Sequence, residues 1–451
     1  MGSGTTLQYS DVSDIGLRRH KNQDSSVVLA PWSREQYRRS GWLFVVADGM
    51  GAHAAGETAS DLAVKTVPAA YQRLATRSPP LALQSSIQQA NDLIHRQGEA
   101  TAELRGMGTT CTALALLPRG ALVGHVGDSR AYRIRRGTIV QFSRDHSLAW
   151  EMEALQPRTG GEPIPLPPKN IITRSLGPHA QVEVDLEGPF PIEEDDTFVV
   201  CSDGLSGQVA DEEIGLLAGA LPTVEAVSAL LGLALVRGAP DNVTVVVARA
   251  GRHEATTAAA DADQSWPLTA EPVEPTRSKQ APAKWLGLAA GSLLGALVSA
   301  SLIGAETWDR LRNGLLPAGF PNSIAILLLA GLMLCFLASI ILAVSGFLSA
   351  GESTALVLTS GKRLGSGPYR SFSCSPSSEL LEGIISSVES AADGLGDAAR
   401  HTCLAHVSAA RMASTRGDFA ASLAAANQGI AIYRGAVEAA RRDNTINTPG
   451  G

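Results

Sequence analysis

Four aspartates in this chain sit where apolar runs begin or end. Val45-Val46-Ala47-Asp48-Gly49-Met50-Gly51 reads as a buried strand that delivers a carboxylate onto a glycine turn. Phe198-Val199-Val200-Cys201-Ser202-Asp203-Gly204 repeats that build, and Asp241-Asn242 precedes the run Val243–Val247. Val126-Gly127-Asp128-Ser129-Arg130 lies between them in the chain. One Asp-Gly alone marks a turn. Strand-end carboxylates from distant segments can converge at one end of a folded sheet, and they repel unless a cation neutralises them. Hard divalent ions such as Mg2+ or Mn2+ do this with oxygen ligands alone. The set therefore points to a metal site.

Such a site suits hydrolysis of phosphate monoesters, which is extremely slow without help. The reaction needs a strong nucleophile at neutral pH and neutralised phosphoryl oxygens. Two metals roughly 3.5–4 Å apart supply both, the nucleophile being a water they activate. No protein nucleophile is evident. The chain has no Cys-x5-Arg loop, and Cys201, set in an apolar run, reads as a small buried hydrophobe.

Further motifs accompany the aspartates in a fixed order: Gly16-Leu17-Arg18-Arg19, Asn22-Gln23-Asp24, Met107-Gly108-Thr109-Thr110, Asp145-His146-Ser147, Ile172-Thr173-Arg174-Ser175-Leu176-Gly177 and Asp241-Asn242-Val243-Thr244. Together these resemble the metal-dependent PPM-type (protein phosphatase type 2C) Ser/Thr phosphatases, bacterial branch, over roughly residues 5–250. The resemblance implies that Asp48 bridges two Mn2+ or Mg2+ ions. It implies that the Gly49 carbonyl completes one site and that Asp203 and Asp241 hold the other. Asp128, with Asp203, would hold a third, weaker metal; the other reading of Asp128 is a cap on the turn before Ser129. Asp24 would orient metal-bound water from one layer further out. Arg19 matches the phosphate-clamping arginine, its planar fork suited to two oxygens, with Arg18 as its solvated neighbour. Thr110 and Asn242 read as buttresses of strand ends, and His146 as a structural hydrogen-bonding histidine. Two positions depart from the family pattern: Gln23 stands for a glutamate, and Ala52 for the second glycine of a pair. Animal relatives carry a histidine where this chain has Met50; His53 lies near, and a metal-bound water is the other proton donor.

These residues need a scaffold. Leu43–Ala47, Thr112–Leu117, Leu122–Val126, Ala131–Ile134, Thr197–Cys201 and Val243–Val247 are β-branched or apolar runs of strand length. Residues 54–75, Ser85–Ala102, Asp211–Ala218 and Val224–Arg237 read as helices. Helices, paired strands and helices again predict an α+β layered fold, which the resemblance sharpens to a four-layer α-β-β-α sandwich with the metals at one end between two sheets.

The chain has 451 residues, enough for a large catalytic core plus appendages, and a net charge of −7 that argues against a nucleic-acid partner. Its five cysteines form no CxxC pair and read as reduced thiols. The N-terminus lacks the apolar core of a signal peptide; Met1-Gly2 to Thr6 fits a myristoylation pattern by coincidence. Residues 251–284 are rich in Ala, Thr, Pro and acidic residues and read as a flexible linker. Trp285–Ala305 and Ser323–Ala350 are 21 and 28 residues without a charge, so 285–350 is expected to form a two-helix transmembrane hairpin in contact with membrane lipid. Basic residues on both flanks place the ends inside. The expected location is the inner membrane, multi-pass, with the catalytic domain and tail cytoplasmic. Residues 375–445 are Ala-rich and read as an α-helical tail: a plain helical hairpin, a dimerisation coil, or one tetratricopeptide-like unit.

The expected function is hydrolysis of phosphoserine and phosphothreonine on proteins, reversing the action of a cognate bacterial Ser/Thr kinase. The alternative is a pseudophosphatase, a binding module with the tail as adaptor. Retention of Asp48, Asp203 and Asp241 favours the enzyme.

Overall fold

The run Trp42–Met50 forms β3, a strand buried along nearly its whole length, and two antiparallel sheets are built around strands of this kind. The structure, a computed structural model, describes residues 7–51, 55–75, 78–154, 167, 171–256, 266–267, 357–358 and 362–447. In one sheet β2 (Asp24–Leu29), β3, β5 (Cys111–Leu117), β6 (Gly120–Val126) and β9 (Asp185–Phe190) lie in that order, with the short β4 (Gly108–Thr109) pairing antiparallel with the end of β3. In the other the order is β1 (Gln8–Asp14), β11 (Val243–Arg249), β10 (Thr197–Cys201), β7 (Arg130–Arg135), β8 (Thr138–Gln141) and β14 (Arg370–Ser373). A separate two-stranded pair joins β12 (Trp266–Pro267) to β13 (Val357–Leu358).

Three apolar clusters define the layers. Phe44, Val46, Leu114, Phe142, Phe198 and Val246 meet between the sheets. On the outer face of the first sheet, α2 (Ala55–Leu74) and α3 (Pro79–Ala100) bury Ala59, Tyr71, Leu83 and Ile94. On the outer face of the second, α6 (Asp211–Ala220) and α7 (Thr223–Val236) bury Ile214, Leu230 and Leu233. Short helices α1 (Arg34–Ser40), α4 (Leu148–Ala154) and α5 (Asp203–Ser206) lie in the connections. The α-β-β-α sandwich expected from the sequence is therefore present. Its central strands read as continuous apolar runs because both faces are covered.

The tail forms α8 (Ser378–Ala392), α9 (Asp397–Thr415) and α10 (Phe419–Asn447). These helices do not stand apart. Leu381, Ile384, Ile385, Val388, Val407 and Ile430 belong to the same apolar cluster as α6 and α7. Ile430 fits against Gly232, where a Cβ would lie 2.3 Å from the isoleucine Cγ2. The leading strand β14 adds to the catalytic sheet beside β8, in register from Arg370↔Gln141 to Ser373↔Thr138. The tail is thus a fifth layer on one side of the sandwich.

The expectation of two transmembrane helices, and with it a multi-pass inner-membrane location, is corrected here. Among the described residues no helix is long and apolar enough to cross a membrane. A span needs about 20 apolar residues. The most apolar described helix, α7, has 14, and the longer α10 carries Arg434, Glu438, Arg441 and Arg442. Residues 285–350 lie outside the described residues, as do most of 251–284 and of the proline-rich loop 150–170. Within that linker segment, Thr256 N–H donates to the Ile192 carbonyl at 2.8 Å, and Trp266 is buried beneath Arg119.

Candidate metal and phosphate site

Asp48 is placed by the end of β3. Its backbone N–H donates to Thr110 Oγ1 at 2.8 Å, and its carbonyl accepts from Thr110 N and Thr109 Oγ1, each at 2.9 Å. Thr110 Oγ1 also shares a 2.8 Å hydrogen bond with Ser129 Oγ, so one threonine ties Asp48 to the loop that carries Asp128. Directly across the strand pair from Asp48 stands Asp24. Ser202 Oγ donates to Asp24 Oδ2 at 2.7 Å and accepts from Thr244 N at 3.0 Å. The residue before Asp203 therefore links β10, β11 and β2 at the site.

Gly49 admits no side chain. A Cβ there would lie 2.1 Å from the Gly56 carbonyl oxygen and 2.6 Å from that of Gln23, whose carbonyl also accepts the Gly49 N–H at 3.1 Å. Asn242 pins the loop that bears Arg19: its Nδ2 donates to the Ile15 and Lys21 carbonyls at 2.9 Å, and its Oδ1 accepts from Gln23 N at 2.8 Å. At the rim of the site Arg19 Nη2 donates to Asp241 Oδ2 at 2.7 Å. Asp128 follows Gly127, whose N–H donates to His146 Nδ1 at 3.0 Å while His146 N donates to the Gly127 carbonyl at 2.7 Å. With Nδ1 accepting, the imidazole proton lies on Nε2, 3.0 Å from Asp185 Oδ2. These bonds tie His146 to the loop that carries Asp128.

Burial and mutual repulsion act together on these carboxylates. Burial, then repulsion from Asp24, Asp203, Asp128 and Asp241, pushes the Asp48 carboxyl well above the usual range. Burial and Asp203 do the same to Asp128. Asp203 is raised by burial and Asp241, against the opposing pull of Asp48, Arg19 and Arg130. Asp24 is pushed up to about 7, chiefly by burial. The Arg19 guanidinium is raised by its bond to Asp241, with Asp48 and Asp203 adding to it. Three buried carboxylate oxygens, Asp24 Oδ1, Asp128 Oδ1 and Asp203 Oδ1, have no hydrogen-bond partner. Buried unpaired carboxylate oxygens are costly, and a hard divalent cation satisfies them.

Among the described residues no group of three or more His, Cys, Asp or Glu side chains is arranged to hold a metal ion. This contrasts with the mutual repulsion of the same aspartates. Arg19 engages Asp241, so that carboxylate is turned toward the guanidinium. Burial, orphaned oxygens and an all-oxygen donor set are the properties a cation needs. The residues fit Mg2+ or Mn2+.

Comparison with known proteins decides the family. The family profile described as protein phosphatase 2C matches residues 20–233. The serine/threonine phosphatase stp of Listeria welshimeri is 32% identical over 240 residues, covering 52% of this chain and 92% of that protein. The chain belongs to the protein phosphatase 2C family. It is an enzyme of the metal-dependent protein-serine/threonine phosphatase class. The serine/threonine protein phosphatase PstP of Mycobacterium tuberculosis is 36% identical over 250 residues, 54% of this chain and 45% of that one. A crystal structure of the PstP catalytic domain in complex with two manganese ions aligns with a TM-score of 0.45 at 36% identity, covering 54% of this chain and 97% of that one.

As a protein phosphatase 2C, the chain has supports that reading along the sequence did not single out. Ser202 was one; the Cys201-Ser202-Asp203 run contained it, yet its bond to Asp24 spans 178 positions. The tail supplies others. Arg237 donates to Glu213 of α6 and to Ser387 of α8, just before the Asp241 loop. Arg441 of α10 donates to both oxygens of Asp14 at 2.8 and 3.0 Å and to the Gly16 carbonyl at 2.7 Å. No motif marks these pairs, and the tail lies beyond the family profile.

Proposed function

We propose that this chain hydrolyses phosphoserine and phosphothreonine on proteins and so opposes a cognate Ser/Thr kinase. The observation that carries the reading is the buried convergence of Asp24, Asp48, Asp128 and Asp203 on orphaned oxygens, with the Arg19 guanidinium at the rim. Asp48, the Gly49 carbonyl, Asp203 and Asp241 would hold two Mn2+ or Mg2+ ions, and Asp128 with Asp203 a third. When bound, the ions activate water and neutralise phosphoryl charge.

The chain's own groups do the rest. Arg19 offers a planar donor fork to two phosphoryl oxygens, exchanging its bond to Asp241 for bonds to substrate. Asp24, held by Ser202 and opposite Asp48, accepts a hydrogen bond at the edge of the cluster. Thr110, Ser129 and Asn242 fix the backbone, so the carboxylates are positioned before substrate arrives. Beside Met50 a cleft of about 310 Å3, lined in part by Arg174, Ser175, His179 and Glu183, has room for residues flanking the phosphorylated side chain. Its mixed charge selects no single sequence.

The test is hydrolysis of a phosphothreonine peptide by the full chain with Mn2+, with EDTA, and with Asp203→Asn. Metal-dependent turnover lost in the variant supports the proposal. A folded chain without turnover in Mn2+ or Mg2+ leaves the pseudophosphatase, a binding module, as the reading.

A further inference from the structure

The loop from Ile15 to Lys21 carries Arg19, and three groups staple its base. Asn242 holds the two ends through the Ile15 and Lys21 carbonyls. The Ala239 carbonyl accepts the Leu17 N–H at 2.9 Å. The third staple comes from the far end of the chain. Arg441 forks onto both Asp14 carboxylate oxygens and reaches the Gly16 carbonyl, across 427 and 425 positions. Asp14 in turn accepts the Gly16 N–H at 2.8 Å. Gly16 has φ +76°, and a Cβ there would lie 2.1 Å from the Asp241 carbonyl oxygen, so the turn is wedged against the Asp241 loop.

The helix that brings Arg441 is itself well anchored. Ile430 lies in the core shared with α7, and Arg434 Nη1 donates to Ser228 Oγ at 2.6 Å. The Arg441–Asp14 pair is about two-thirds buried or more, with side chains 34% and 18% exposed. A forked pair of that burial fixes geometry as well as adding attraction.

We infer that Arg441 is a positioning residue for the Arg19 phosphate clamp: the C-terminal helical layer sets the loop that receives the substrate phosphate. The inference rests on the phosphatase reading for its consequence in catalysis. It does not rest on it for the geometry. Releasing Asp14 and the Gly16 carbonyl frees the turn whose far side bears Arg19. A clamp misplaced by about 1 Å loses much of its effect. The loss falls on phosphate binding, because Arg19 holds oxygens of substrate and product alike.

The experiment uses the full chain and two readouts: KM and kcat for a phosphothreonine peptide, and equilibrium binding of inorganic phosphate in the presence of Mn2+. Arg441→Ala is expected to raise KM and the phosphate Kd in parallel by about tenfold, with a smaller change in kcat. Arg441→Lys, which keeps the charge and loses the fork, recovers part of both. Asp14→Asn reproduces the shift from the other side while keeping an acceptor for Gly16 N–H. Arg434→Ala removes a bundle contact away from the loop and leaves KM and Kd at the wild-type values. The inference is overturned if Arg441→Ala and Asp14→Asn both leave KM and phosphate Kd within about twofold of wild type. It is equally overturned if Arg434→Ala shifts them as much, since the effect is then general loss of the bundle. A wild-type chain that binds phosphate in an Arg441-dependent way without turnover sinks the phosphatase reading and keeps the positioning role.

Discussion

Asp24 and Asp48 stand directly opposite each other across the antiparallel pair β2 and β3, Asp24 buried and Asp48 partly so. Facing like charges destabilise a strand pair, so the native arrangement stores repulsion that a cation relieves. Mn2+ at a hundred times Kd is therefore expected to stabilise the wild-type chain by about 2.7 kcal/mol, seen as a higher melting temperature. Asp48→Asn is expected to be more stable than wild type without metal, to respond little to Mn2+, and to lose turnover by about 10³-fold or more. Thermal unfolding with and without Mn2+ checks this; equal Mn2+ shifts in both proteins would remove Asp48 from the site.

Gly49→Ala tests the closeness of backbones at the same turn. The added methyl would meet the Gly56 carbonyl oxygen at 2.1 Å. Overpacking of this kind costs about 1–3 kcal/mol. Because relief of that clash moves the backbone of residue 49, which carries the candidate ligand carbonyl, Mn2+ affinity should fall with stability. A variant with wild-type Mn2+ affinity, measured by calorimetry, would show that this carbonyl is not a ligand.

The docked tail makes the catalytic part dependent on residues far beyond it. Ile430 is 1% exposed in the core it shares with α7. Ile430→Ala should destabilise the whole cooperative unit by about 2–5 kcal/mol in urea unfolding. A fragment ending near residue 251 would leave the outer face of α7 bare, and is expected to unfold at lower urea than the full chain. Equal midpoints for fragment and full chain would mean the tail layer adds nothing to the sandwich.

His125 gives the chain an acid-side weakness. Burial holds its imidazole down to about 3, with His146 adding to the effect and Asp185 opposing it. Below about pH 6.5 the unfolded chain takes up a proton that the native chain refuses. Stability is therefore lost as pH falls from about 6.5 toward 3, by about 1.4 kcal/mol per pH unit for this one group. Asp185 adds a separate, lower window. Its carboxyl is held at about 2 by His146 and Arg174 against burial, so its contribution is lost as pH falls from 3.8 toward that value. In His125→Gln the slope between pH 6 and about 4.5 should flatten relative to wild type. Buried carboxylates common to both proteins cancel in the difference. Parallel stability curves would contradict the assignment of the slope to His125.

Much of the sandwich was legible along the chain. The apolar runs at Leu43–Ala47, Thr112–Leu117 and Val243–Val247 became β3, β5 and β11, because central strands covered on both faces need uninterrupted apolar residues. The helical stripes fell within a few residues of α2, α6 and α7. Edge strands β2, β9 and β14 gave weaker signals, since one side of an edge strand has no partner to demand a pattern. The charge-free runs 285–305 and 323–350 read as membrane spans by length and composition alone, and the described helices contain no such span.

The sequence by itself marked the candidate residues for the chemistry. Asp48, Asp128, Asp203 and Asp241 stand out because a carboxylate at the end of an apolar run is a local feature, and Arg19 stands out by its place in a family motif. Only the tertiary structure decided how they are held. Asp24 meets Asp48 by strand register, Ser202 meets Asp24 across 178 positions, and Arg441 meets Asp14 across 427. Such pairs leave no periodicity to read. They exist because the packing of sheets and helices brings distant segments within hydrogen-bond reach, and that distance is a property of the fold.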